Sequence, residues 1–220
     1  MSMVLRYSEC RLPTEYGAFQ VIAYREQGNP NEHLAIVYGD VAGKSDVLAR
    51  AHSECFTGEI LHSLKCDCRE QLDLAFRRIA KAEYGVVLYL RQEGRGIGLG
   101  DKLRVYSMQQ QGYDTVDANR VLGFEDDLRR YDMAAAMLAD LGVESIALMT
   151  NNPAKVEGLR REGVVVTRRV PHLVAPHALN RAYLETKRAR MGHMFDLSEP
   201  LCSSHMTEGV LDPSTLHDAE

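Results

Sequence analysis

The stretch ESIALMTNNPAKVEGLRREGVVVTRRV, residues 144–170, decides the fold class. ESIALMT is a short apolar run of the kind a buried strand uses, and VVVTRRV opens on three β-branched valines that suit an extended backbone. Between them, PAKVEGLRREG starts with Pro153, tolerated in the first turn of a helix, and stops at Gly163, which can take the left-handed conformation that ends one. Strand, helix and strand in this order make a βαβ unit, expected to be parallel and right-handed.

The same rhythm extends backwards. RYDMAAAMLADLG reads as a helix closed by Gly142, YGVVLYLRQ as a buried strand, and Leu72, Phe76 and Ile79 recur at helical spacing before it. Further upstream the pattern changes. GAFQVIAYRE, EHLAIVYGD and DVLARAHS are short β-rich runs separated by Gly, Pro, Asn and Asp, which predicts an antiparallel or mixed sheet in the first third. The expected fold is therefore α/β: a mixed sheet with a β-rich N-terminal third followed by alternating β and α units. Residues 1–196 are expected to form one domain. From residue 197 to 220 the chain is polar, Ser-rich and aperiodic, and is expected to be poorly ordered.

Composition narrows the function classes. Of 220 residues 45% are hydrophobic, enough for a core, yet no apolar run approaches the roughly 20 residues that cross a bilayer. The opening MSMVLRYSEC lacks a basic-then-apolar export pattern, so the expected location is the cytoplasm, away from membranes. A net charge of −5 argues against a general electrostatic grip on nucleic acid, so any phosphate-binding site must be local.

Five cysteines, an odd number, do not suggest a disulfide framework. Three of them, Cys55, Cys66 and Cys68, fall within HSECFTGEILHSLKCDC, while Cys10 and Cys202 stand apart as ordinary thiols. The C-x-C pair can share one ion, and a turn or short hairpin can bring Cys55 to it. Soft sulfur ligands without a redox motif favour Zn²⁺. If His52 or His62 supplied a fourth ligand the site would be structural; if that position were left to water it would be catalytic, and the spacing favours the open form. Three thiolates around a dication leave a negative centre, so an open site would need a neighbouring base or cation. Two further stretches carry anion-binding chemistry: RQEGRGIGLGDK, with four glycines beside Arg91, Glu93 and Arg95, and MTNNPAKVEGL, with Thr150 to Asn152 ending a strand and Lys155 in the next helix. Taken singly, each is also compatible with an ordinary turn or capping loop.

Together, RAHSECFTGE, CDCREQL, RQEGRGIGL, GYDTVDAN, LGFEDDLRRYD, LMTNNPAKVEGL and YLETKRARMGH, in this order, resemble the GTP cyclohydrolase II family, which opens the guanine ring at the start of riboflavin biosynthesis. The resemblance runs from about Leu12 to Phe195. It implies a catalytic zinc on Cys55, Cys66 and Cys68 with reactive water in the fourth position. It also implies GTP contacts at Arg50, Ala51, His52, Ser53, Glu54, Gln71, Glu93, Gly94, Arg95, Thr115, Thr150 and Lys155. Asp127 corresponds to a proton acceptor, Arg129 to a residue acting at the α-phosphate, as nucleophile or as charge stabiliser, and Tyr106 to a tyrosine assisting at the ring. Mg²⁺ would accompany the triphosphate, and the assembly would be a homodimer. Arg69, where the family has a small glycine, and Arg130, where it has an acidic or polar residue, depart from the pattern. Arg69 raises an alternative, a relative that opens the ring but stops at the formamide. A different class of reading, a zinc knuckle binding nucleic acid, is disfavoured by the acidic balance and the absence of a second ligand pair.

Overall fold

The computed structural model describes residues 4–29, 31–111, 113, 121–124, 127–174, 180, 181, 184, 185, 188, 189, 192 and 194. The tail from 197 to 220, Cys202 and Thr115 lie outside them.

Among the described residues, seven strands form one sheet. They are β1 (Val4–Thr14), β2 (Gly17–Glu26), β3 (Glu32–Tyr38), β4 (Val47–Ser53), β5 (Gly85–Leu90), β6 (Ile146–Met149) and β7 (Val166–Val170). Their spatial order is β1-β2-β3-β5-β4-β6-β7. β1, β2, β3 and β5 pair antiparallel, whereas β5, β4, β6 and β7 pair parallel, so the sheet is mixed as the sequence predicts. The β6–β7 unit is the parallel βαβ of residues 144–170.

The helices are α1 (Phe56–Glu59), α2 (Cys68–Lys81), α3 (Leu99–Gln110), α4 (Asp132–Asp140) and α5 (Pro153–Arg161), with a short 3-10 turn at Glu93–Gly96. α5 begins as its sequence dictates: Asn152 Oδ1 accepts the Ala154 N–H at 3.0 Å, and Pro153 takes the first position. Gly142 and Gly163 follow α4 and α5 with φ of 68° and 86°, the left-handed conformation a side chain resists.

Strand alternation places the helices on both faces. On β5, Val86, Leu88 and Leu90 join the cluster that includes Met133, Ala134 and Met137 of α4 and Leu159 of α5, while Val87 faces Ala75 and Ile79 of α2. Each fully buried Leu or Ile adds about 1.5–3 kcal/mol of transfer free energy. β5 is therefore covered on both sides, which explains its uninterrupted apolar run. Two elements go beyond the sequence expectation. β1 is an edge strand, exposed along nearly its whole length, and α3 follows the glycine-rich turn. No helix among the described residues is long and apolar enough to cross a membrane.

Candidate active site at the carboxyl ends of the parallel strands

Because β4, β5, β6 and β7 run in one direction, their carboxyl ends share one edge of the sheet, where open α/β sheets bind ligands. β4 ends at Ser53, and the Glu54 N–H donates to the Leu90 carbonyl at 2.9 Å before the chain turns into Cys55. Cys66 precedes α2, and Cys68 is its first residue. The three sulfurs lie within 4.8 Å of one another, with Cys55 Sγ and Cys66 Sγ 3.7 Å apart. A tetrahedral zinc with bonds of about 2.3 Å separates its sulfurs by about 3.8 Å, so the cluster fits the ion.

Gly58 makes the approach possible. A Cβ there would stand 2.8 Å from Cys66 Sγ and 3.3 Å from Cys55 Sγ. Hydrogen bonds from the Cys66 and Cys68 thiols, reinforced by Lys102, hold the Cys55 thiol far below its usual range, while Cys66 is pushed up to about 11 and Cys68 upward. Negative charge thus collects on Cys55, and a dication is what would let all three sulfurs ionise. Neither candidate histidine belongs to the metal-capable group among the described residues. His52 is engaged by Glu59, and the exposed His62 meets Arg69 Nη1 through Nδ1 at 2.7 Å.

Glu59 ties three elements together. Its Oε1 accepts from His52 Nε2 at 2.7 Å and from the Cys55 N–H at 3.0 Å, and its Oε2 accepts from the Tyr89 hydroxyl at 2.6 Å. Burial lowers the His52 pKa, so the neutral ring donates through Nε2 and keeps Nδ1 as an acceptor. That Nδ1 is buried with no protein partner among the described residues.

The glycine-rich turn closes the next side. Gly94 and Arg95 both take positive φ, 61° and 62°. Glu93 is buried, its Oε2 accepting from the Phe56 N–H at 2.6 Å and its Oε1 from Lys102 Nζ at 2.7 Å and the Gly94 N–H at 2.8 Å. Lys102 Nζ also donates to Cys55 Sγ at 3.2 Å. Two ammonium groups approach the Tyr106 ring, Lys65 at 5.2 Å and Lys102 at 5.7 Å from its centroid. Gly96 lets the turn lie against Leu128, since a Cβ there would be 2.9 Å from Leu128 Cβ, and the Leu128 N–H donates to the Arg95 carbonyl at 3.0 Å.

That contact brings in Asp127 and Arg129. The guanidinium grips the carboxylate with Nε at 2.8 Å and Nη2 at 2.5 Å. Burial would raise the Asp127 pKa, but the Arg129 pair outweighs it and holds the carboxyl below its usual range. Arg130 turns elsewhere, to Glu26 at 3.2 Å and to Asp132. Arg69 is exposed, occupied by His62 and, 4.0 Å away, by Asp73.

Arg50 is buried beneath the edge. Its Nη1 donates to the Met149 carbonyl at 2.9 Å and its Nη2 to Gln71 Oε1 at 2.5 Å, and Gln71 Nε2 in turn donates to Asp67 Oδ2 at 2.5 Å. Burial draws the Arg50 pKa down to about 10 against the pull of Asp67 and Cys68, so the group stays cationic at neutral pH. The buried Lys155 Nζ donates to the Ala51 carbonyl at 2.6 Å, and Thr150 Oγ1 accepts the Asn152 N–H at 3.1 Å. Ser53 Oγ accepts from Gln92 Nε2 at 3.0 Å, and Glu54 pairs with Arg91 at 2.8 Å. Beyond the residues sequence reasoning names, the structure adds Gly58, Glu59, Tyr89, Asp67 and Lys102. Lys102 closes RQEGRGIGLGDK, and Gly58, Glu59 and Asp67 lie inside RAHSECFTGE and CDCREQL, where nothing in their residue types singles them out.

The GTP cyclohydrolase II family profile matches residues 5–171. The chain belongs to the GTP cyclohydrolase II family. A GTP cyclohydrolase-2 from Picrophilus torridus is 47% identical over 193 residues, 88% of this chain and 100% of that protein. One from Hahella chejuensis is 50% identical over 187 residues, 85% of this chain and 90% of that one. Riboflavin biosynthesis protein RibBA of Endomicrobium trichonymphae is 50% identical over 183 residues, 83% of this chain but 45% of its own length, so the chain spans about half the length of that relative. Among solved structures, the two-domain 3,4-dihydroxy-2-butanone 4-phosphate synthase RibBX from A. baumannii matches at TM-score 0.43 and 26% identity over 76% of this chain and 40% of that one, too distant to carry weight. Membership in the GTP cyclohydrolase II family makes the chain an enzyme of the hydrolase class, in riboflavin biosynthesis.

Proposed function

We propose that the chain hydrolyses GTP, opening the imidazole ring and releasing formate and pyrophosphate to give 2,5-diamino-6-(5-phosphoribosylamino)pyrimidin-4(3H)-one. It would do so as a cytoplasmic homodimer whose catalytic domain spans residues 1–196. The observation that carries this reading is the meeting, on one sheet edge, of three clustered thiols with the cationic groups of Arg50, Lys155 and Arg129. Zinc held by Cys55, Cys66 and Cys68 would supply the Lewis acidity that activates water against the ring carbon. Mg²⁺ would arrive with the triphosphate.

The protein groups divide the remaining work. His52, buried with its tautomer set by Glu59, braces the turn that presents Cys55, since the same carboxylate oxygen takes the Cys55 N–H. The backbone of Glu93–Arg95, with two successive positive φ values, suits close approach by an anion. Arg129, locked in a fork by an ionised Asp127, stabilises charge at the α-phosphate. That pairing favours a protonated guanidinium over a nucleophilic one. Arg69 is exposed and engaged by His62 and Asp73, which favours completion of the reaction over arrest at the formamide.

Incubation with GTP tests this directly. The purine absorbance should disappear, stop disappearing on chelation, and resume with added zinc. Intact GTP beside zinc-loaded protein that binds RNA tightly would overturn the proposal.

A further inference from the structure

We infer that Lys102 is the counter-charge of the three-sulfur cluster, held against Cys55 by Glu93, and that it sets how strongly Cys55 donates to a bound zinc. The inference rests on the zinc reading above and concerns a residue outside the ligand set. Three thiolates on a dication leave one net negative charge, which weakens the metal as a Lewis acid. A cation at hydrogen-bond distance from one sulfur corrects this. Lys102 Nζ stands 3.2 Å from Cys55 Sγ, its side chain only 12% exposed.

The surroundings show that the position is built. Glu93 Oε1 holds the ammonium at 2.7 Å, while Oε2 of the same carboxylate takes the N–H of Phe56, the residue next to Cys55, at 2.6 Å. One buried carboxylate therefore fixes both the lysine and the turn that presents the sulfur. Tyr106, one helical turn beyond Lys102 on α3, covers the ammonium with its ring 5.7 Å away. A lysine needed only to neutralise Glu93 would not have to reach a sulfur. An N–H···S bond draws electron density from the thiolate, so the metal it binds stays more acidic; Lys102 is a positioning residue acting through Cys55.

Cobalt substitution reads this without relying on turnover. Co²⁺ added to the wild-type chain should give a sulfur-to-cobalt charge-transfer band. Lys102→Met should move that band to longer wavelength, because the unbonded sulfur is richer in electrons, and with zinc kcat should fall about 10–100-fold with KM for GTP little changed. Lys102→Arg should restore the band position and most of kcat. Lys102→Gln, a neutral residue that retains an N–H donor, gives a second test if the methionine variant misfolds, with a smaller shift in the same direction. A neutral variant whose band and kcat both match the wild type overturns the inference while leaving the zinc site intact. No charge-transfer band in the wild type overturns the zinc reading itself.

Discussion

The antiparallel part of the sheet and the parallel part use similar strands to opposite ends. In the antiparallel part, β1 pairs with β2 across ten residue pairs yet lies open to solvent, and β2 and β3 bury Phe19, Ile22, Tyr24, Ala35 and Val37 without presenting a candidate site residue. In the parallel part, four strands end on one edge, and the described candidate residues gather in the segments at and after those ends. Direction explains the difference. Antiparallel neighbours send successive loops to opposite edges, whereas parallel strands send every following loop to the same one. The first arrangement supplies stability, and the second concentrates chemistry.

Variants test this division. The largest effect is expected at the sulfurs: Cys66→Ser should lose zinc, measured by metal analysis, together with ring opening, measured by absorbance. Full metal content and full activity would contradict the ligand assignment. Next comes Gly58→Ala, whose new Cβ would press on Cys66 Sγ from 2.8 Å. Zinc affinity by chelator competition should fall about 10-fold or more, with the melting temperature of the sheet core little changed.

The halves also differed in how far the sequence revealed them. Strands with one or two apolar faces were legible because burial leaves a pattern, as in GVVLYL and GAFQVIAYRE. β1 was not, because an edge strand with both faces exposed has no alternation to read. α3 was hidden behind four glycines and has a weakly amphipathic sequence with one buried residue, Val105. At the site, the three cysteines and the strand-end Thr150 and Lys155 were visible as residue types in suggestive places. Gly58 and Glu59 were not, because their roles exist only once Cys55, Cys66, His52 and Tyr89 are folded together. Arg69 adjoins Cys68 in sequence, but a helix turns adjacent residues to different sides, and its guanidinium lies on the surface.

Smaller effects belong to the framework. Tyr24 is buried on β2 and donates to Asp140 Oδ2 at 2.6 Å, tying the antiparallel part to the end of α4. Tyr24→Phe should cost about 1 kcal/mol in denaturant unfolding, since Asp140 keeps Arg6, and should leave kcat per folded molecule unchanged. A tenfold fall in kcat would show that the two parts are coupled after all.

The remaining effect is absent at neutral pH and appears only in acid. His172, after β7, donates through Nε2 to the Gln71 carbonyl at 2.8 Å, and burial lowers its pKa to about 3. The unfolded chain binds the proton near pH 6.5 and the native chain does not, so this group's contribution is complete above about pH 6.5 and is lost progressively as pH falls towards 3. His172→Gln should remove about one proton's worth of that slope, about 1 kcal/mol between pH 6.5 and 5.5 in denaturation series. An unchanged slope would mean the ring is not held neutral.

Counting products decides whether this edge carries out the complete ring-opening reaction proposed for GTP. With zinc and Mg²⁺ present, formate and pyrophosphate released per GTP consumed should each equal one. Pyrophosphate without formate, beside a product heavier by one formyl group, would contradict it.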